Sequence, residues 1–222
     1  TPLIKHVCQT GKPVIVSTGG CSQNDVARVI DTVSNHGDLN KFVLNQCTCE
    51  YPGSPDIQDL NVIDMYRKNL LGVVVGLSSH NPNWWVNLAA FGLGARVFEN
   101  HFTLDRSSKG TDQAFSLTPK MLAEQVQALN ECYRALGSHS KEVHPDEESY
   151  TLERRRSLYA TRKLSVGHMI KEEDLIALTP GGGIPPYERD SLIGKSIKKP
   201  LWEGDRLEHH HIGAAVRVET PA

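Results

Sequence analysis

"GVVVGLSSH", residues 72–80, is apolar at nearly every position until Ser78 and then turns polar. A strand with one wet face alternates apolar and polar residues, whereas a short continuous apolar run fits a strand buried within a parallel sheet. Three other stretches have the same character: KPVIVSTGG (12–20), FVLNQCT (42–48) and ARVFENHFTL (95–104). Between and after them lie helical patterns. QNDVARVIDTVSNHG (23–37) sets Val26, Val29, Ile30 and Val33 at helical spacing and stops at Gly37. DLNVIDMYRKNL (59–70) and NWWVNLAAFGLG (83–94) follow, then TPKMLAEQVQALNECYRALG (118–137), which opens on Thr-Pro and closes on Gly. Four strand–helix units in succession predict an α/β fold with a parallel sheet and helices outside it.

Ligands of parallel sheets and α/β barrels bind at the carboxyl ends of the strands. There each apolar run gives way to polar residues: Ser17-Thr18-Gly19-Gly20, Thr48-Cys49-Glu50-Tyr51, Ser78-Ser79-His80 and Glu99-Asn100-His101. Four such sets converge on one rim. The run 97–117, VFENHFTLDRSSKGTDQAFSL, places Glu99, His101 and Asp105 among Val97, Phe98, Phe102 and Leu104. It reads as partly buried, and a buried ionisable group needs a partner or a ligand. His80 and His101 end adjacent strands and are candidates for a metal pair, or for hydrogen-bonded core histidines. Glu99 lies two residues before His101, so the two face the same way; its alternative is an ion pair with Arg106 or Lys109.

The chain has 222 residues, a formal net charge of -2, 39% hydrophobic and 23% charged residues. That is an ordinary globular composition, with no global charge argument for nucleic acid or an anionic membrane. No apolar run reaches the length needed to span a bilayer, and the first residues do not read as a signal peptide. Five cysteines are odd in number and sparse, which fits reduced thiols in the cytoplasm better than a disulfide framework. Cys47 and Cys49 form C-x-C without a second pair at structural zinc spacing and read as packing residues at a strand end. His209-His210-His211 is at most a loose metal-binding tail.

Residues 138–151 form a polar linker. From 152 to 212 the pattern changes to short strands around the Pro/Gly run TPGGGIPP (179–186), so a small β-rich domain is expected, with a tail at 213–222.

The segments GKPVIVSTGG, CTCEYP, GLSSH, VFENHFTLDRSSKGTDQAFSL and RRSLYATRKLSVGHMIKEEDL with TPGGGIPP and LIGKSIKK together resemble the sialic acid synthases, including legionaminate, pseudaminate and spore-coat polysaccharide enzymes. The resemblance runs from about residue 8 to about 207. It implies the C-terminal half of a TIM-type (β/α)8 barrel over 1–137, starting just before what resembles the fifth strand. An antifreeze-protein-like SAF domain of β-clip type follows it. It also implies a carbon–carbon bond-forming transferase that joins phosphoenolpyruvate to an acylated amino sugar of N-acetylmannosamine type, phosphorylated or not, to give a nonulosonic acid and phosphate. The implied cofactor is Mn²⁺ or Mg²⁺, held by His80 and His101. Glu99 becomes a catalytic, proton-handling carboxylate. Tyr51 and Asp112 become sugar contacts, and Lys12, Ser17 and Ser78 phosphoenolpyruvate contacts. The implied assembly is a homodimer with swapped SAF domains, or a pairing with a separate N-terminal half-barrel.

Four positions depart from the family pattern: Cys49 where Asn or Ser is usual, Ser79 for Asp, Asn100 for Lys, and Thr179 for an arginine that contacts the sugar in bacterial members. The Ser79 departure removes a carboxylate expected behind the imidazole of His80. The rival reading is a non-catalytic remnant that binds sugar or only dimerises.

Overall fold

The computed structural model describes residues 2–215, which divide into one unit up to Ser138 and a second from His139. In the first unit, β1 (Val14–Ser17), β2 (Phe42–Cys47), β3 (Val74–Ser79) and β4 (Val97–Asn100) form a single sheet in that order, every pair parallel. The connecting helices are α2 (Gln23–His36), α3 (Asn61–Asn69) and α4 (Val86–Leu93), with α1 (Pro2–Cys8) ahead and α5 (Pro119–Ala135) after. The sheet curls as half of a barrel does.

Local chemistry sets the helix boundaries. Ser22 and Asp25 form a reciprocal capping box at the start of α2. The Thr118 hydroxyl accepts the Met121 amide at the start of α5, with Pro119 in the first turn. Gly94 closes α4 at φ +114°, a left-handed conformation that a side chain would resist. The α1 helix was not anticipated; it carries Ile4 and Cys8 into the core.

One face of the sheet packs on the helices. Val14, Val16, Phe42, Leu44, Val75, Leu77 and Phe98 meet Val26, Val33, Ile63, Tyr66 and Ala90. The alternate residues face the other way, and the register sets Ile15, Val43 and Val74 in one row and Ser17, Asn45, Gly76 and Val97 in the next. A half-barrel leaves this inner face open, and Ile15 is 54% and Val74 38% exposed. The run 97–117 also departs from expectation. Its strand ends at Asn100, and Phe102 (53% exposed) and Leu104 (81%) stand in a loop rather than in a core.

The polar stretch 138–151 is exposed except at its last residue, and its end already belongs to a helix, α6 (Glu148–Arg154). The second unit is β-rich, as expected. β5 (Ser157–Ala160) pairs antiparallel with β6 (Leu175–Leu178), and β7 (Lys195–Ile197) with β8 (Ile212–Ala215). One short helix, α7 (Arg189–Leu192), lies between. Leu158, Leu164, Ile170, Ile184, Ile197, Leu201 and Leu207 are the core. β8 extends into the expected tail, whose residues 216–222 lie outside the described residues.

Asp174 is fully buried in this unit. Its carboxylate accepts from Arg162 Nε (2.8 Å), the Lys171 amide (2.9 Å) and His168 Nε2 (2.6 Å). Burial pushes this carboxyl up, but the His168 ring, the Lys171 amide and Arg162 outweigh it and hold it below the usual range. Asp174→Asn should therefore cost this unit about 3 kcal/mol, because it breaks a buried charge pair from one side. A depressed folded value means the contribution is complete above the unfolded carboxylate value of about 3.9 and is lost as pH falls through the folded one. Urea unfolding of the wild-type chain and the variant across pH 2–7 should show the two converging on the acid side.

Candidate active site at the carboxyl rim of the sheet

The face turned away from the helices changes from apolar to polar along each strand. Cys47 stands opposite Ser78, and Ser78 opposite Glu99, in the ladder. The Ser78 hydroxyl donates to Glu99 Oε1 at 2.9 Å, and Asn45 Nδ2 lies 3.4 Å from Oε2. The Glu99 carboxylate thus meets Ser78 of the adjacent β3 at one oxygen and Asn45 of β2 at the other. The alternative ion pair with Arg106 does not form; Arg106 Nε donates to the Ala114 carbonyl instead. Asn45 is fully buried, and its Oδ1 has no hydrogen-bond partner. It was not singled out in the sequence, where it sits as one polar residue inside an apolar run.

One step further along, His80 and His101 meet with ring centroids 5.1 Å apart. Tyr51 lies over His80 at 4.0 Å, and Phe115 flanks His101 at 5.2 Å. His80 is buried, and its Nδ1 lies 2.8 Å from the Thr48 carbonyl. A carbonyl only accepts, so Nδ1 carries the proton and Nε2 keeps its lone pair. His101 Nδ1 lies 3.4 Å from Asp112 Oδ2. Each imidazole therefore has an orienting partner on Nδ1, the arrangement usual for metal-binding histidines. Among the described residues no group of three or more His, Cys, Asp or Glu is disposed around a common ion position. The donor set fits a divalent ion with most positions left to water or substrate, and does not fit a closed structural site.

Ser79 does not bear on His80. Its hydroxyl is on the helix side, 3.5 Å from Gln58 Oε1 and accepting the Asn81 amide. The Thr48 carbonyl takes the place of the carboxylate expected behind His80. Asn100 likewise faces the helices, accepting from Asn87 and Gln125 and donating to the Ser79 carbonyl.

Of the two cysteines read as packing residues at a strand end, Cys47 ends β2 and Cys49 lies beyond it. Cys49 is exposed and Cys47 half-buried, both beside Gly19. Burial pushes the Cys47 thiol up, opposed by hydrogen bonding to Ser78. Burial and the nearby Cys49 and Cys47 push the Tyr51 hydroxyl up. Ser17 stands opposite Asn45 on the same face. Lys12 is not brought to this cluster. It precedes β1 at the opposite end of the strand, five residues from Ser17, or about 16 Å at strand rise.

Residues 1–141 match the NeuB family, and residues 155–210 match the SAF domain. The N,N'-diacetyllegionaminic acid synthase of Legionella pneumophila is 36% identical over 217 residues, which cover 96% of this chain and 60% of that protein. The human N-acetylneuraminate-9-phosphate synthase is 32% identical over 209 residues, covering 93% and 57%. The chain thus spans about six-tenths of the length of these relatives. The fold is similar to that of a putative spore coat polysaccharide biosynthesis protein E from Chromobacterium violaceum, with a TM-score of 0.75 at 23% identity over 96% of this chain and 64% of that one.

Gly76 makes room for the Asn45 amide. A β-carbon there would collide with Asn45 Oδ1 and approach the Val97 carbonyl oxygen to 2.5 Å. Gly76→Ala should therefore destabilise the first unit by about 1–3 kcal/mol, since backbone must move to admit the methyl group. Chemical denaturation should show the loss, and Asn45→Ala added to Gly76→Ala should recover part of it.

Proposed function

The chain belongs to the NeuB family, and from that premise we propose that it supplies the sugar- and metal-binding side of a nonulosonic acid synthase site. The reaction is the condensation of phosphoenolpyruvate with an open-chain acylated amino sugar. The enol carbon attacks the sugar aldehyde, water adds to the resulting cation, and phosphate leaves. The observation that carries this reading is the meeting of the His80 and His101 rings with centroids 5.1 Å apart, His80 Nδ1 on the Thr48 carbonyl and His101 Nδ1 facing Asp112, with Tyr51 over His80.

His80 and His101 would hold Mn²⁺ or Mg²⁺, whose chemistry here is polarisation of the aldehyde oxygen. Glu99, fixed by Ser78 and Asn45, handles the proton that the adding water gives up. Tyr51 supplies a ring face and a hydroxyl to the sugar. Asp112 holds His101 and offers its remaining oxygen to a sugar hydroxyl. Ser17, with the turn that follows it, and Ser78 are the proposed phosphoenolpyruvate contacts of this chain. Lys12 stands too far away to neutralise its phosphate, so the cations must come from elsewhere.

The open face of the sheet points to the same conclusion. Exposed Ile15 and Val74, and the free edges of β1 and β4, fit a partner of the same strand–helix type that completes the barrel. We propose that partner as an N-terminal half-barrel, in a cytoplasmic homodimer whose SAF domains are exchanged. No helix among the described residues is long and apolar enough to cross a membrane.

The 222-residue chain alone should release phosphate from phosphoenolpyruvate and N-acetylmannosamine no faster than buffer in the presence of Mn²⁺, because groups that act as a unit lose most of their effect when part of the set is absent. Adding a separately expressed N-terminal half-barrel should restore phosphate release. Glu99→Gln should then lower the restored rate by about 10²–10⁴-fold, and His101→Ala should abolish it. Mn²⁺ and sugar binding with no turnover in the reconstituted mixture would favour the non-catalytic reading. Robust turnover by the chain alone would refute this assignment of the site.

A further inference from the structure

The condensation as proposed assigns no step to the two cysteines of the rim. They lie two residues apart, Cys47 at the end of β2 and Cys49 beyond it. A β-carbon built on Gly19 would lie 3.1 Å from Cys47 Sγ and closer still to Cys49 Sγ, so the sulfurs are less than twice that distance apart. A disulfide needs the two β-carbons about 4 Å apart, so closing one here requires the Cys49 side chain to turn toward Cys47. Cys49 lies outside the ladder, so closing the gap moves a loop and leaves the sheet pairing intact. One thiol is exposed and the other half-buried. That is the layout of an attacking cysteine and a resolving one.

We infer that Cys47 and Cys49 form a reversible oxidation site, closed to a disulfide by a peroxide. Hydrogen peroxide transfers an oxygen to the exposed Cys49 sulfur, giving the sulfenic acid and water. The Cys47 sulfur then attacks the Cys49 sulfur, the S–O bond breaks, and a second water leaves with the Cys47 proton. Two electrons pass from the two thiols to one peroxide, and a dithiol reductant reverses the change.

The position of the pair makes this step consequential. Thr48, enclosed between the two sulfurs, carries the carbonyl that holds His80 Nδ1, and its hydroxyl donates to the Ile57 carbonyl. Cys47 stands opposite Ser78, which holds Glu99, and Cys49 is two residues from Tyr51. Disulfide closure therefore pulls on His80, Tyr51 and Ser78 together. The thiol chemistry itself does not depend on the synthase reading, so the two fail separately.

The wild-type chain is treated with one equivalent of hydrogen peroxide, alkylated without reduction, digested and mapped by mass spectrometry. The expected result is an intact mass lower by two hydrogens. The peptide carrying Cys47 and Cys49 should resist alkylation until dithiothreitol is added. The Cys47→Ser variant should instead retain oxygen on Cys49 with no loss of hydrogens. Alkylation of both thiols after peroxide, stable oxygen on wild-type Cys49, or a bridge from Cys49 to Cys21 or to a second chain would each overturn the inference. The map is made on wild-type protein, so it decides the question even where a variant folds poorly.

Discussion

In the parallel ladder Asn45 stands opposite Gly76, Cys47 opposite Ser78, and Ser78 opposite Glu99. The rim depends on that register. Side chains alternate faces with a period of two, so a slip of one residue in β3 would turn Leu77 and Ser79 to the open face and bury Ser78 against the helices. Glu99 would lose its hydroxyl donor, and His80 would leave His101. The apolar rows fix the register from the other side: Leu44, Val75, Leu77 and Phe98 must all reach the helices at once. Packing of one face thereby aligns the chemistry of the other.

Behind the sheet a second polar layer steadies the same strand ends. Asn100 joins Asn87 of α4, Gln125 of α5 and the Ser79 carbonyl. Gln58 takes the corresponding place beside Ser79 and Gln46. Buried amides are costly unless bonded, and most of these polar atoms are. Asn87 Oδ1 and Gln125 Oε1 have no partner and mark that layer as tightly enclosed. The unpartnered Asn45 Oδ1 is different, because it belongs to the layer that meets Glu99.

The second unit solves its stability problem differently. Its strands are three or four residues long, too short for a large sheet to organise the chain. A buried carboxylate at Asp174 instead ties the 162–174 turn together from three directions. Tyr159 reaches the Pro180 carbonyl, and Arg206 the Gly181 carbonyl, fixing the Pro/Gly run to the strands beneath it.

Much of this was determined by the sequence itself. Apolar runs ending in Ser, Thr, Glu and His, alternating with capped helical patterns, specify parallel strands and a polar rim, because burial and periodicity are local properties of the chain. Ser78, His80, Glu99 and His101 were legible as rim residues for the same reason. Only the tertiary structure decided their partners. The Thr48 carbonyl behind His80 is backbone and leaves no mark in residue identity. Asn45 looked like an interruption of a strand until the register set it beside Glu99. The distance of Lys12 from the rim, and the exposure of Phe102 and Leu104, followed from where β1 begins and β4 ends. Those limits are set by pairing with neighbouring strands, an interaction between segments remote in sequence that no single run of residues encodes.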